Sequence, residues 1–489
     1  MRRFLPVTLI LLLVIASVSR GQPSQAKQVA FSRVTKSFIA MDSPVIALQH
    51  VRVIDGTGAA PADDQTLLIE NGEIREIGSA ATVNIPQGAR TLDLSGHSVI
   101  PGLVGMHDHM FYPAPSGIGP VSGAPSTLNE MGFSFPRLYL AAGVTTIRTA
   151  GSLEPYADLA FKKLIDSGEQ PGPKMHITGP YLEGAGSFVP QFHELSGPEE
   201  ATRLVNYWID AGATSFKAFM HITRAELAAA IKAAHARGIK VTGHLCSVGF
   251  TEAAELGIDN LEHGVMVDEE FDPAKQADVC PPDAGSHPAI EGIEVSSKPV
   301  QKMIRTLVDH HVAVTSTLAI FETFQPNRPP LQQRVLKALS LPSRADYLAV
   351  RTSIASAPPP KVDLLKKEMD FERDFVKAGG LLMAGEDPTG YGGVLAGFGD
   401  QRDVELLVEA GFTSLEAIRI QTLNGAQFLG EESSIGSLKA GKRADIVVVK
   451  GDPSTKIADI ENVVYVFKDG IGYDPAKLIE SVQGAVGFH

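Results

Sequence analysis

Six side chains able to bind metal or move a proton stand at the ends of apolar, strand-like runs in this sequence. His107 and His109 close VIPGLVGMHDH; two residues apart on a strand, they point the same way and can grip one ion or two neighbouring ions. His244 sits at the end of IKVTGHL and His263 at the end of IDNLEH, separated by 19 positions that include a helical TEAAELG. That spacing puts the two rings at the tips of adjacent parallel strands, on one face. Either histidine alone would more often be a satisfied core or surface residue. Asp387 ends GGLLMAGED; a carboxylate there could touch metal and take a proton from metal-bound water, or serve as an ordinary cap or turn residue. Lys217 lies within the apolar ATSFKAFM. Burial would lower the pKa of its ammonium and free an amine able to take up carbon dioxide as an anionic carbamate, a bridge for two cations. The side chain could equally snorkel to solvent, and both readings stand on the residues alone.

Around this set lie candidates for substrate contact. Arg148 follows the apolar GVTTI and could hold a substrate carboxylate or a structural acid. His221 stands four positions beyond Lys217, where a strand passes into a loop, so it could face substrate or the surface. Cys246 could line the site or be a small buried residue. Tyr391 is a further candidate, with His176 and His193 as outer ones.

The elements that must position these groups follow from the pattern around them. From about Pro101 to Gly430 apolar runs alternate with helical patterns, which implies a parallel sheet wrapped by helices. In one unit Thr223 and Glu226 form a capping box, Leu227, Ile231 and Ala234 recur at helical spacing, Gly238 stops the helix and IKVTGHL follows as a strand. Thr413 and Glu416 repeat the box. The length suits a (β/α)8 TIM barrel with insertions; a doubly wound sheet is the alternative, but no GxGxxG follows a strand. Residues 264–299, rich in Asp, Pro and Gly, and residues 325–361, with their proline clusters after Arg328 and Ala357, read as elaborated loops.

At the two ends the pattern is different. Short alternating strands with an Asn71-Gly72 turn fill residues 44–100, and a matching set with Asp469-Gly470 fills residues 431–475. Neither set alone could bury a core, so the expectation is one small β-sandwich domain built from both, with the barrel of residues 101–430 inserted and 476–489 left as a C-terminal tail.

With these motifs in order (VIPGLVGMHDH, SFKAFM, VTGHL, NLEHG, AGEDP, and IGSLKAGKRADIVVV near the end) the chain resembles the amidohydrolase superfamily, in its imidazolonepropionase-like and Xaa-Pro dipeptidase-like branch with a carboxylated lysine. The resemblance implies two divalent metal ions, zinc by family habit, with His107, His109 and Asp387 on one, His244 and His263 on the other, and carboxylated Lys217 bridging. It implies a metal-activated hydroxide that attacks a carbonyl while Asp387 acts as general base and then acid. The implied substrate is a small molecule with an amide-type bond: a dipeptide, a cyclic amide or an N-acyl amino acid. The same machinery could serve a lactonase or phosphotriesterase, and a non-catalytic binding protein could keep the fold. Three positions depart from the pattern: Gly105 where relatives often carry Asp, Thr149 where they read Asp after Arg148, and Cys246 where dipeptidase-like members show Tyr.

Composition bounds the setting. Arg2 and Arg3, an apolar stretch from Phe4 to Val18 and small residues at Ser19 and Gly21 read as a signal peptide over residues 1–21, too short to anchor in a bilayer once the roughly 20 residues of a span are counted. The expectation is export, to the periplasm or the medium. Removing that segment leaves 40 basic against 56 acidic residues, a formal charge of −16, which argues against nucleic acid as a partner. A homo-oligomer is open. Cys246 and Cys280, the two cysteines, could pair in an oxidising compartment.

Overall fold

The computed structural model describes residues 30–115, 127–282, 284, 288–358 and 360–488, so residues 1–21, read as a signal peptide, lie outside the described residues. Eight parallel strands carry the middle of the chain: β1 (Leu103–Asp108), β2 (Val144–Thr149), β3 (Lys174–His176), β4 (Ser215–Ala218), β5 (Lys240–Gly243), β6 (Asn260–Glu262), β7 (Ala313–Ser316) and β8 (Leu382–Ala384). They pair as a three-stranded sheet, β3-β2-β1, and a five-stranded one, β4-β5-β6-β7-β8. Parallel bridges from Thr178 to Ser215 and from Leu182 to Ala218 link the chain after β3 to β4. At the other junction the Asp387 N–H donates to the His107 carbonyl at 3.0 Å. Gly385 is required there, because a Cβ would lie 2.3 Å from the His107 nitrogen.

Helices fall between the strands as the capping signals require. The Thr223 hydroxyl accepts from the Glu226 N–H while the Glu226 carboxylate accepts from the Thr223 N–H, which starts the helix Arg224–His235; Thr413 and Glu416 do the same for Ser414–Arg419. The segments expected as elaborated loops are more regular than that. Residues 325–361 hold the helices Gln333–Ala338 and Leu341–Ser356. Pro342 sits in the first turn of the longer one, where its missing N–H costs nothing, and Ser340 caps it, so the Pro-rich composition brackets the helix rather than breaking it.

Both ends of the chain join one nine-stranded sheet, in which Ile446–Lys450 lies between His97–Pro101 and Val463–Lys468. It has its own apolar core, including Ile46, Leu48, Leu67, Ile69, Ile446, Val448 and Phe467. Asn71-Gly72 and Asp469-Gly470 all have positive φ, as tight hairpin turns demand, and the two turns abut so closely that a Cβ on Gly470 would lie 2.6 Å from the Gly72 Cα. The final residues are no loose tail: the helix Pro475–Glu480 and Leu478, Val482 and Val486 pack into the main core, and Ser340 N–H donates to the Val486 carbonyl at 2.8 Å.

Candidate metal centre

All six expected ligands lie at the carboxyl ends of the parallel strands. His107 is in β1 and Lys217 in β4, while His109, His244, His263 and Asp387 follow β1, β5, β6 and β8. Four imidazoles form a continuous row: ring centres are 5.2 Å apart for His109 and His107, 4.3 Å for His107 and His263, and 4.5 Å for His263 and His244. Lys217 Nζ is 3.1 Å from His107 Nε2. Asp387 faces the row, its carboxylate oxygens 3.6–3.7 Å from Nε2 of His107, His109 and His263.

The donor set suits a cation. Ligand atoms of His107, His263 and Asp387 lie within 4.8 Å of one another, and all three residues are buried. His263 Nε2 and one Asp387 oxygen are buried without a hydrogen-bond partner, as atoms intended for an ion would be. Burial first, and then the Lys217 cation among their neighbours, holds His107, His109 and His263 well below the ordinary imidazole range, so they are neutral and keep a lone pair to donate. Burial also lowers the Lys217 ammonium to about 8, against the pull of Glu262 and Asp387. Asp387 is raised to about 6 by burial, which Lys217 partly offsets.

Behind the row stands a residue that the sequence reading passed over. Glu262 Oε2 meets His107 Nδ1 at 2.9 Å, and its other oxygen accepts from Arg148 Nη2 at 2.7 Å. Burial pushes this carboxyl up, but the Arg148 and Lys217 cations more than offset it and keep it ionised. A carboxylate on Nδ1 fixes the ring and directs Nε2 toward the site. The signal was present: Asn260 and Glu262 share a face of a short apolar strand, and Glu immediately precedes His263. His263 Nδ1 is set in the same way by the Thr317 hydroxyl at 2.7 Å. A second missed group is the buried trio Asp108, Glu386 and Asp400, each held above the usual carboxylate range by burial. Asp108 explains Gly105: a Cβ there would lie 1.9 Å from Asp108 Oδ2.

The outer candidates fare differently. Arg148 is not open to a substrate carboxylate, because its buried guanidinium is committed to Glu262, the Met106 carbonyl and the Thr242 hydroxyl. Cys246 offers no thiol, since it is bonded to Cys280. Tyr391 donates to the Thr323 carbonyl and stacks with Tyr347, so its hydroxyl is occupied. His221 faces Glu183, with Nδ1 at 3.4 Å from Oε1, and that carboxylate raises its pKa. His176 lies against Glu431 and His193 against Glu200, away from the row.

The chain matches the amidohydrolase family over residues 98–471 and belongs to it. Sequence and fold therefore agree on the class. A dihydroorotase of Pelobacter propionicus is 40% identical over 68 residues, a match spanning 14% of this chain and 15% of that protein. Similarity to solved structures runs over far more of the chain at lower identity. A Xaa-Pro dipeptidase with methionine bound in its active site is 20% identical, with a TM-score of 0.65 over 88% of this chain and 100% of the other. Bottromycin amidohydrolase is 18% identical, with a TM-score of 0.65 over 90% and 91%.

Proposed function

We propose that this chain is an exported hydrolase that cleaves an amide-type bond of a small molecule at a centre of two divalent ions, zinc by preference, in the mouth of a closed (β/α)8 barrel beside a terminal β-sandwich. The convergence of His107, His263 and Asp387 on one buried point, with Lys217 beside them, carries this reading. His107, His109 and Asp387 would hold one ion, His244 and His263 the other, with Lys217 as a carbamate between them. When bound, such ions polarise a carbonyl and make water a nucleophile at neutral pH.

The chain's own residues supply the rest. Glu262 and Thr317 orient His107 and His263 from behind. Asp387, whose carboxylate faces Nε2 of His107, His109 and His263, stands where it can take up a proton and return it to the leaving nitrogen. Burial of His107, His109, His263 and Asp387 limits competition from bulk water and strengthens the charge interactions among them. The Cys246–Cys280 bond supports export, since such bonds persist in oxidising compartments. Among the described residues no helix is long and apolar enough to cross a membrane.

A panel of dipeptides, N-acyl amino acids, cyclic amides, lactones and phosphotriesters separates the readings. Turnover of amides with loss in Lys217→Ala, partly restored by short carboxylic acids, is the expected result. Turnover confined to lactones or phosphotriesters would replace the amide assignment, and inertness toward all classes would favour a binding protein.

A further inference from the structure

The mouth is not evenly polar. On the Lys217 side, Phe111, Leu153, Tyr181 and Phe219 form an apolar cluster separate from the main core, with Phe192 packed on it. Tyr181 stacks on Phe192 at 4.1 Å between ring centres, and Phe219 meets the two edge-on at 5.1 and 5.4 Å. Gly151 makes room for this arrangement, because a Cβ there would lie 2.5 Å from the Tyr181 ring.

The cluster runs directly into the metal centre. The Phe219 ring is 4.9 Å from that of His244, and Lys217 Nζ is 5.5 Å from the Tyr181 ring centre and 5.9 Å from that of Phe219. At its other end Phe188, 48% exposed, stands 6.3 Å from Phe219 and carries the aromatic surface out to solvent. A purely structural cluster has no need of an exposed ring at one end and ligand histidines at the other. Apolar walls with a few convergent polar groups are what small-molecule sites are made of. The polar candidates for substrate contact are otherwise engaged: Arg148 by Glu262, Cys246 by Cys280 and Tyr391 by Thr323, while His221 faces Glu183.

We infer that the face formed by Phe188, Phe192 and Phe219 is a specificity subsite for a large apolar group of the substrate, aromatic by preference, next to the bond that is cleaved over the His107–Asp387 cluster. This rests on the hydrolase reading and deepens it by naming the substrate's side group. Stacking on the rings supplies orientation that a small aliphatic group could not obtain.

The test uses matched pairs on the protein as purified: N-phenylacetylglycine against N-acetylglycine, and ethyl phenylacetate against ethyl acetate. Dissociation constants of phenylacetate and acetate, which a hydrolase cannot consume, are read by calorimetry. The expected result is at least about a tenfold preference for the phenyl member in kcat/KM and in binding. In Phe188→Ala and Phe192→Ala, at exposed and half-buried rings whose truncation spares the fold, that preference shrinks. Ester turnover without amide turnover would remove the amide reading while leaving the subsite intact, provided the phenyl preference persists. Pairs that bind and react within about twofold of each other, or a preference unmoved by both substitutions, would overturn the subsite.

Discussion

The terminal sheet and the strand ends of the central domain solve opposite problems with the same chain. In the sheet, ionisable groups such as Arg52 and Asp63 pair at the surface, and the interior is apolar, with Ile46, Leu48, Ile446, Val448 and Phe467 fully buried. At the strand ends, His107, Lys217, Glu262, His263 and Asp387 are all buried, and most have pKa values displaced by that burial. Placing ionisable groups out of water opposes folding. The contrast teaches that the sheet and the main core supply stability, while the strand ends hold an arrangement that makes sense only for chemistry.

Substitutions can break that contrast. The largest expected effect is on turnover: Asp387→Asn should lower kcat by about 10²–10⁴-fold, the usual worth of a positioned acid–base group, with metal largely retained. Full activity in that variant would remove the assigned base. Next comes the sheet. Ile446→Ala should cost about 2–5 kcal/mol in denaturant unfolding, by burial and cavity together, while the folded fraction keeps its kcat. A loss of kcat with unchanged stability would show that the two regions are not separate in role.

A third expectation concerns the stability cost at the site. In metal-free protein Asp387 has its folded pKa raised from 3.8 to about 6, so its contribution is fully present below about pH 4 and lost as pH rises through about 6. Asp387→Asn does not titrate there. Its stability relative to the parent should therefore improve by roughly 2–3 kcal/mol between pH 4 and pH 8, read from denaturant midpoints at each pH. A pH-independent difference would mean that burial does not act on this carboxyl. The smallest effect belongs to Glu262→Gln, which weakens the orientation of His107 and should cost about 10–100-fold in metal affinity by chelator competition.

The sequence made the site legible where a polar residue interrupts or ends an apolar run, which is why His107, His244, His263 and Asp387 stood out and the strand order could be read around them. Glu262 was hidden by its neighbour, because an acid beside a histidine reads as a loop residue until the strand's alternation is followed one step further. Arg148 was visible, but its partner was not: a pairing across 114 positions leaves no local pattern. The helix Leu341–Ser356 was obscured by prolines whose positions at its borders, rather than their number, decide their effect. Gly105 read as a missing acid, whereas the space it vacates is filled by Asp108 from the same strand.

The measurement that bears most directly on the central claim is the metal content of the purified full-length protein, with turnover followed as a chelator removes it. The account predicts close to two divalent ions per chain, falling in Lys217→Ala, with activity lost on chelation and restored by added zinc. A protein that carries no stoichiometric metal and turns over its substrate unaffected by chelator would contradict it.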